Sequence, residues 1–463
     1  MSINPFDDYP LSWRPNKREL KRPYVLNLVK QMKKDINSGL LLPGTKLPPQ
    51  RELADFLDLS FSTMTRVYKL SQEQGLTYGR VGQGTFIAGH VNSPLTISRN
   101  STENMMDLGF IASFESTNRF TKRTIQEVLK ETQINRLLNY DSPTGLDHQK
   151  LVATRYLKTV GMNVNQQNTI IASGGENAIS IALASLFNNG DRIAVDEFTY
   201  SNFIDLARLF GLKLVPIYGD DKGMLPNKLD LACEQQRIAG IYLMPDCNNP
   251  TIVTMPNERR EELAKVIKKN HLILLEDDYL SFLNIYRQHP LRKMSTLLPD
   301  QSVYIASMSK PMVSGLRVSF VRPANQYVKE FNQAMFAMNV KTSSLDAEII
   351  TKLLKSEQSS KIMQEKIRLM GQNTRIFDEV FQTTHPDSSF FLPLFLKSHE
   401  RGQIIEKKLL NNGIRVFHSD RFLTGGRGKY NFLRISLAAI DDGKEMRKAL
   451  IKLKQVLKKY NWI

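Results

Sequence analysis

The sequence is poor in cysteine and contains no long apolar run. Its two cysteines, Cys233 and Cys247, have neither metal-site spacing nor a cluster of partner residues, so we expect no bound metal and a reducing environment. The longest apolar stretches, such as residues 178–187, are far shorter than the roughly 20 residues that span a bilayer. The N-terminus, MSINPFDDYP, lacks the basic and then apolar pattern of a secretion signal. These absences predict a cytoplasmic protein without a membrane partner.

The length and the charge predict more than one globular domain. At 463 residues the chain exceeds one ordinary core, and 41% hydrophobic with 24% charged residues is a globular composition. The net charge is +17, and residues 1–90 contain 13 Lys and Arg against 8 Asp and Glu, a denser basic excess than in the rest of the chain. Such an excess attracts nucleic-acid phosphates, although a solvated lysine-rich surface accounts for the same charge.

Residues 11–88 have the pattern of a compact helical unit that ends in a hairpin. Apolar residues at four-residue spacing, from Tyr24 to Ile36, predict a first helix. A short second helix follows, and Ser60 or Ser62 is the expected N-cap of a third. β-Prone residues on either side of GRVGQG then predict a two-stranded wing.

This N-terminal pattern resembles the winged helix-turn-helix of the GntR regulators. The resemblance covers the first helix, then GLLLPGTKLPPQRELADFLDLSFSTMTRVYKL, EQGL and GQGTFIAG. In such a unit the N-terminal residues of the third helix meet base edges in the major groove, while flanking groups hold phosphates. Family members often have a basic residue where this chain has Phe61, which leaves the operator sequence open. The resemblance implies that DNA is contacted by Arg51, Ser62, Thr63, Thr65, Arg66, Arg80, Gly82, Gln83 and Gly84.

The remainder of the chain has a different pattern. Residues 89–104 are polar and lack periodicity, so we expect a linker between a first domain (1–88) and a larger one (105–463). In the larger domain, apolar β-like runs alternate with helical patterns, which is typical of a mostly parallel sheet covered by helices. The predicted strands are residues 169–172, 192–195, 240–244, 272–275 and 302–306. The predicted helices include residues 177–187, 201–210 and 257–269.

Four motifs occur in order in the larger domain: ASGGENAIS, MPDCNNPTI, LILLEDDYL and IASMSKPMVSGLRVSF. Together they resemble the fold-type I, pyridoxal-phosphate-dependent aminotransferases. A winged helix joined to such a domain is the arrangement of the MocR subfamily of GntR regulators. The resemblance implies an α/β fold with helices on both faces of the sheet, and pyridoxal 5'-phosphate as the cofactor.

The last of these motifs resembles the segment that carries the cofactor lysine. It places Lys310 in position for an imine with the cofactor aldehyde, a reaction that requires a deprotonated amine in a partly desolvated site. Ser307, Ser309 and Arg317 match the positions that hold the phosphate, and hydroxyl and guanidinium groups suit phosphate oxygens. A surface lysine is the common alternative for any single lysine, and the S-x-S-K-x-x-x-x-x-x-R spacing argues against it.

Acids follow an apolar run in LILLEDDYL, which indicates a buried strand that delivers them at its C-terminal end. The resemblance implies that Asp277 pairs with the pyridine nitrogen and keeps the ring protonated, and that Tyr279 lies near the phenolic oxygen. The adjacent Asp278 leaves the assignment of the two aspartates open. In MPDCNNPTI, Asn249 matches the asparagine that hydrogen-bonds the phenolic oxygen, and Ile252 stands where the family usually has glycine.

Three further positions complete the resemblance. Gly175 and Glu176 open a helix whose backbone amides are expected to hold the phosphate, although glycines before a helix are common without a ligand. Tyr200 in AVDEFTY matches the aromatic residue that stacks on the cofactor ring, with Phe198 in place of the usual proline. Tyr140 in NYDSPTG matches a tyrosine that family dimers lend to the neighbouring subunit's phosphate.

An arginine stands within the apolar run NFLRISLA. Arg434 matches the residue with which aminotransferases hold the substrate carboxylate, and an arginine inside an apolar strand is costly without an anionic partner. The two resemblances together imply a homodimeric transcriptional regulator that binds operator DNA. It would sense pyridoxal phosphate, or an amine or amino-acid effector, through an aldimine at Lys310. Two alternatives remain, namely a working aminotransferase with a DNA-binding appendage and a DNA-binding scaffold whose enzyme-like domain is an empty relic.

Overall fold

The computed structural model describes most of the chain, with short gaps. The described residues are 12–38, 40–41, 45–80, 84–87, 105–130, 134–140, 142–385, 389–398, 400–425 and 430–463. No helix within these ranges is both long and apolar enough to cross a membrane. The predicted linker, residues 89–104, lies outside the described residues, and its boundaries stay a prediction.

The N-terminal unit contains three helices followed by a two-stranded antiparallel sheet. The helical stripe predicted from periodicity is the inner face of the first helix, because Leu28 and Met32 are fully buried in one cluster with Met64 of the third. The predicted winged helix-turn-helix is therefore confirmed. Its elements are α1 (Tyr24–Ser38), α2 (Gln50–Leu57), α3 (Phe61–Glu73), β1 (Thr77–Arg80) and β2 (Gly84–Ile87).

Helix α3 begins and ends at residues suited to those positions. The Ser60 side chain accepts a hydrogen bond from the Thr63 amide at 3.2 Å, whereas Ser62, the other candidate N-cap, lies inside the helix. Beyond the last turn, Gly75 has a φ of 67°, a left-handed conformation that glycine adopts without steric cost. These residues define both ends of the helix whose exposed start is predicted to contact DNA.

The larger unit is built on a seven-stranded sheet, with helices between the strands. Its strands are β3 (Met106–Asp107), β4 (Ile170–Ala172), β5 (Arg192–Asp196), β6 (Lys213–Ile217), β7 (Gly219–Asp220), β8 (Gly223–Met224), β9 (Gly240–Leu243), β10 (Ile273–Asp277), β11 (Ser302–Ser307), β12 (Ser319–Pro323), β13 (Phe391–Phe395), β14 (Ile414–Arg415), β15 (Phe417–His418) and β16 (Phe432–Ser436). Its helices are α4 (Arg119–Leu129), α5 (Ile134–Leu137), α6 (Asp147–Thr159), α7 (Gly175–Leu186), α8 (Ser201–Leu209), α9 (Pro226–Gln235), α10 (Asn257–Lys269), α11 (Met294–Leu297), α12 (Val328–Asn339), α13 (Ser344–Lys355), α14 (Gln358–Phe381), α15 (Gly402–Asn411) and α16 (Gly443–Lys459).

The central sheet has the strand order β4-β12-β11-β10-β9-β5-β6, in which β12 runs opposite to the other six strands. The five predicted strands are confirmed as β4, β5, β9, β10 and β11, and the predicted helices as α7, α8 and α10, with bounds that differ by at most two residues. Strands β6 and β12 were not predicted. Since parallel strands end at the same edge, Asp196, Asp277 and Ser307 all lie at the carboxyl edge of this sheet.

The C-terminal part packs a smaller antiparallel sheet, ordered β13-β16-β15, against α14 and α16. Arg434 lies on the central strand, opposite Pro393 of β13 and Phe417 of β15. Strand β3 pairs in parallel with β14, with Met106 opposite Ile414. The chain that follows the predicted linker is therefore attached to the C-terminal part by this pairing.

Candidate functional site

A cavity of about 430 Å³ opens at the carboxyl edge of the central sheet. All of the predicted cofactor and effector residues line it except Tyr140, whose side chain is 89% exposed. The fold therefore brings together residues that lie far apart in the sequence. The predicted residues on the cavity are Gly175, Glu176, Tyr200, Asn249, Asp277, Tyr279, Ser307, Ser309, Lys310, Arg317 and Arg434.

Lys310 lies in the loop after β11 and is tied to the backbone of one short stretch of chain. Its Nζ donates to the carbonyl oxygens of Ile111, at 2.6 Å, and Ala112, at 3.0 Å. Burial of the amine, together with the nearby Arg434 and Arg317 guanidinium groups, lowers the pKa of Lys310 to about 7. A large fraction of the side chain is therefore the neutral amine near pH 7, which is the nucleophilic form. Lys310 is not an ordinary surface lysine.

An anion-binding corner lies beside Lys310. Arg317 donates to Ser309 Oγ at 3.0 Å, and the Ser309 amide donates to Ser307 Oγ at 3.3 Å. Helix α7 begins at Gly175, where its first amides have no partner within the helix. Gly174 has a φ of 92°, and a Cβ there would lie 2.8 Å from the Arg317 guanidinium. Glycine at this position therefore lets the guanidinium approach the start of the helix, and hydroxyls, amides and a guanidinium converge as a phosphate requires.

The two adjacent aspartates after the apolar run have different surroundings. Asp277 lines the cavity, and its Oδ2 accepts a hydrogen bond from Tyr242 Oη at 2.7 Å. Burial, followed by the Asp278 and Glu176 carboxylates, raises the pKa of Asp277 to about 7. Asp278 instead accepts from Tyr304 at 2.5 Å and pairs with the buried Lys293 at 2.6 Å. The structure thus places Asp277, and not Asp278, at the cavity.

Arg434 is only 1% exposed and donates to two neutral acceptors, Asn249 Oδ1 and the Gly109 carbonyl, each at 2.8 Å. Its Nε has no hydrogen-bond partner, and no carboxylate of the described residues lies within ion-pair distance of it. Burial lowers the pKa of Arg434 to about 10, so the guanidinium stays charged at neutral pH. A buried cation that has no carboxylate of the described residues within ion-pair distance suits an anionic ligand such as a carboxylate.

The remaining cavity residues include two tyrosines and a carboxylate. Tyr279 Oη donates to the Cys247 carbonyl at 3.0 Å. Tyr200 Oη and Asn202 Nδ2 both donate to Glu176 Oε1, at 2.7 Å and 2.5 Å. The sequence interpretation used only the Glu176 amide, so this carboxylate in the cavity is an additional feature.

Two departures from the family pattern lie away from the cavity. Phe198 is buried and packs against Phe432, with ring centroids 5.3 Å apart. Ile252 adopts a φ of 60°, which a β-branched residue rarely does, and its side chain packs against two hydrophobic clusters. Neither residue lines the cavity that contains Lys310.

Sequence reasoning missed several residues that shape this site. Tyr242 supports Asp277, Gly174 accommodates Arg317, and the Gly109 carbonyl accepts from Arg434. Tyr242 lies in an apolar strand and Gly109 acts through its backbone, so neither carries a chemical signal in the sequence. Gly174 is different, because it stands beside Gly175 just before a predicted helix. Two consecutive glycines at such a place could have indicated the positive φ that Gly174 adopts.

The start of α3 is open to solvent. Ser62, Thr65 and Arg66 are exposed and Thr63 is partly exposed, and Thr65 Oγ1 donates to Gln50 Oε1 at 3.0 Å. Arg51 on α2 is also exposed, and its guanidinium carbon lies 5.6 Å from the centroid of the Phe61 ring. In the wing, Gly84 pairs with Arg80 in the β1–β2 ladder. Predicted contacts at Gly82, Gln83 and the Arg80 side chain lie outside what the structure describes.

Comparisons with known proteins match both units. The aminotransferase class I and II model matches residues 109–453, and the model for bacterial regulatory proteins of the gntR family matches residues 25–87. The HTH-type transcriptional regulator YdeF of Bacillus subtilis strain 168 is 31% identical over 461 residues, which is 99% of each chain. The chain belongs to the MocR-type gntR regulators. This regulator is also 25% identical to the HTH-type transcriptional regulator YjiR of Escherichia coli K12, over 87% of its own length and 92% of that protein.

Solved aminotransferases share the fold of the regulator's larger unit. An archaeal alanine:glyoxylate aminotransferase has a TM-score of 0.70 at 20% identity and covers 77% of this chain and 91% of its own. The Pyrococcus horikoshii kynurenine aminotransferase also has a TM-score of 0.70, at 19% identity, over 78% of this chain and 95% of its own. The predicted fold class and family are confirmed. As in class I and II aminotransferases, the cofactor of this unit is pyridoxal phosphate.

Proposed function

We propose that this chain is a DNA-binding regulator that senses pyridoxal phosphate, or an amine that reacts with it, through Lys310. When bound, the cofactor supplies an aldehyde that joins covalently to amines. Lys310 would hold the aldehyde carbon, and Asp277 would hold the ring nitrogen. Ser307, Ser309 and Arg317 would hold the phosphate. The donor set fits the group because a neutral amine, a buried carboxyl and an anion-binding corner line one cavity.

The observation that carries this proposal concerns residues 109–112, which we call the pocket segment. Lys310 donates to the carbonyls of Ile111 and Ala112, and Arg434 donates to the carbonyl of Gly109. The two side chains expected to contact ligand are therefore both bonded to the same short stretch of backbone. The pocket segment follows β3 and hence the predicted linker to the DNA-binding unit.

Ligand contacts and pocket-segment contacts compete for the same donors. The Lys310 nitrogen cannot keep both of its hydrogen bonds to the pocket segment once it is committed to an aldehyde carbon. An effector carboxylate would likewise offer Arg434 a charged acceptor, which is a stronger partner than the neutral Gly109 carbonyl. A ligand shifts the DNA-competent arrangement only by its differential affinity for the two arrangements. The exchange of partners at the pocket segment is a source of that difference.

The test is the affinity for an operator duplex selected in vitro by the protein, measured with and without pyridoxal phosphate and a panel of amines and amino acids. We expect at least one addition to change the affinity of the wild type by about fivefold or more, as in typical coupling between sites. Lys310→Ala should abolish the change, whereas Lys329→Ala, at an exposed position on α12, should preserve it. Equal affinities in every condition would overturn the sensing proposal.

A second candidate function is slow or full aminotransferase activity. The observation in its favour is the convergence of Lys310, Asp277 and Arg434 on one cavity, since an amino acid needs all three. Steady-state assays with amino acid and keto acid pairs distinguish the two functions. Rapid turnover with an ordinary pair would replace the sensing proposal with the enzymatic one.

We also propose a homodimer in which Tyr140 serves the partner's site. Tyr140 is 89% exposed and does not line the cavity of its own chain, which supports a role toward another copy. Sedimentation equilibrium should give twice the chain mass. Tyr140→Phe should weaken pyridoxal phosphate binding without changing that mass, and unchanged binding would contradict the shared site.

A further inference from the structure

A second lysine is buried directly behind the loop that carries Lys310. Lys366, on α14, has 0% exposure, and its Nζ donates to three oxygens. These are Ser113 Oγ at 2.8 Å, the Lys310 carbonyl at 2.7 Å and the Met312 carbonyl at 2.6 Å. Three acceptors match the three N–H bonds of an ammonium group.

The same contacts tie the Lys310 loop to the chain around the pocket segment. Ser113 immediately follows that segment, and its hydroxyl donates to the Ser309 carbonyl at 2.6 Å while it accepts from Lys366. Lys366 and Ser113 thus hold the carbonyls of three residues in the loop, Ser309, Lys310 and Met312. The backbone that aims the Lys310 side chain is held from both sides.

Burial of a lysine amine at this position costs free energy, because burying a cation without a counter-charge is unfavourable. A methionine would fill the same volume at lower cost. Burial and the neighbouring Lys310 lower the pKa of Lys366, and Asp441 opposes this effect. Three oxygen acceptors offset part of the cost of burying Lys366 Nζ, and all three belong to the Lys310 loop or to Ser113 beside it.

We propose that Lys366 is a positioning residue that fixes the loop carrying Lys310. This inference rests on the proposed role of Lys310 as the cofactor lysine. A purely structural role predicts lower stability, with wild-type affinity for pyridoxal phosphate and a wild-type pH profile of the lysine-bound absorption. A positioning role predicts that the folded variant binds pyridoxal phosphate more weakly and that this pH profile changes.

The experiment compares Lys366→Met with Lys361→Met, which removes an exposed lysine from the same helix. The full-length protein is titrated with pyridoxal phosphate, and the absorption of the lysine-bound cofactor is then followed against pH. The pH midpoint should shift by about half a unit or more, because the Lys310 nitrogen is no longer held in place relative to the Arg317 and Arg434 guanidinium groups. The affinity should fall roughly tenfold, a loss of about 1.4 kcal/mol in binding. Lys361→Met should behave as the wild type.

Ser113→Ala leaves Lys366 in place and removes the hydrogen bonds that the Ser113 hydroxyl makes with the Ser309 carbonyl and with Lys366. We expect a several-fold weaker affinity, and this variant decides the positioning role if Lys366→Met does not fold. A folded Lys366→Met with wild-type affinity and midpoint would overturn the proposal, as would wild-type affinity in Ser113→Ala. If the wild type itself shows no lysine-bound absorption, the failure lies with the proposed function and not with Lys366.

Discussion

Asp277→Asn is expected to stabilise the protein when no cofactor is bound, and the gain should increase with pH. The Asp277 carboxyl is buried at the cavity and accepts one hydrogen bond, from Tyr242. Its burial raises its pKa from 3.8 to about 7. The stability associated with the protonated carboxyl is therefore complete below about pH 3.8 and is lost as the pH rises through about 7. Asparagine has nearly the same shape, still accepts from Tyr242 and carries no charge.

The size of the effect follows from the same rise in pKa. At about 1.4 kcal/mol for each pH unit, the ionised carboxyl costs up to about 4 kcal/mol relative to a neutral group. About half of that cost arises above pH ~5.5, so the gain from Asp277→Asn should be about 2 kcal/mol larger at pH ~8 than at pH ~5.5. Other titrating groups are common to both proteins and cancel in this difference.

The assay is chemical denaturation of the cofactor-free wild type and variant at the two pH values, followed by circular dichroism. Asp300→Asn, at an exposed position, is the control and should show no pH-dependent gain. A gain that is equal at both pH values, or a loss at the higher one, would refute the conclusion that burial of the Asp277 charge is costly. The same variant should bind pyridoxal phosphate more weakly, because it removes the proposed partner of the ring nitrogen.

Three other substitutions test separate parts of the molecule. Lys293→Met should destabilise the protein by about 3 to 5 kcal/mol in thermal or chemical denaturation, because Asp246 and Asp278 would lose a fully buried partner. Lys361→Met is the control and should leave the stability unchanged. Arg66→Ala should weaken operator binding. If Arg66 contacts a phosphate, the substitution should also reduce the slope of log affinity against log salt concentration by about 1. The control Lys33→Ala, at an exposed position on α1, should leave the affinity and the slope unchanged. Gly109→Ala should alter the response of DNA binding to ligand. The added Cβ would lie 2.8 Å from the Phe417 ring and would displace the carbonyl that is bonded to Arg434. An unaltered response would contradict the proposed role of the pocket segment in sensing.

Much of the fold could be predicted from the sequence, and two of the omitted strands, β6 and β13, share a physical cause. The strands that were predicted are apolar runs buried within the sheet. Strand β6 contains Pro216 and β13 contains Pro393, and proline cannot donate to a β-ladder, so both runs argue against a strand. Each of these strands lies at the edge of its sheet, where one side needs no donor. Edge position is a property of the assembled sheet and is not visible in a local pattern.

The two aspartates show a limit of the same kind at the site. Successive side chains of a strand point to opposite faces, so Asp277 and Asp278 are expected on different faces of the sheet. This alternation does not say which of the two faces meets the cavity. That depends on Tyr242 on the neighbouring strand and on Lys293 in a later loop, which hold Asp277 and Asp278 respectively. Partners on separate elements decide the roles, and only the fold brings them together.

The hydrogen bonds from Lys310 and Arg434 to the pocket segment support sensing best, and they are the hardest to predict from the sequence. Their acceptors are backbone carbonyls, which every residue type has. Every residue type at positions 111 and 112 offers the same carbonyl to Lys310, so side-chain chemistry there is nearly irrelevant to the hydrogen bonds. Position 109 differs, since a side chain there would meet the Phe417 ring and move the acceptor of Arg434. A connection between cavity and linker can therefore be built from backbone atoms alone. The side chains that reveal it are the hydrogen-bond donors at its other end, Lys310 and Arg434.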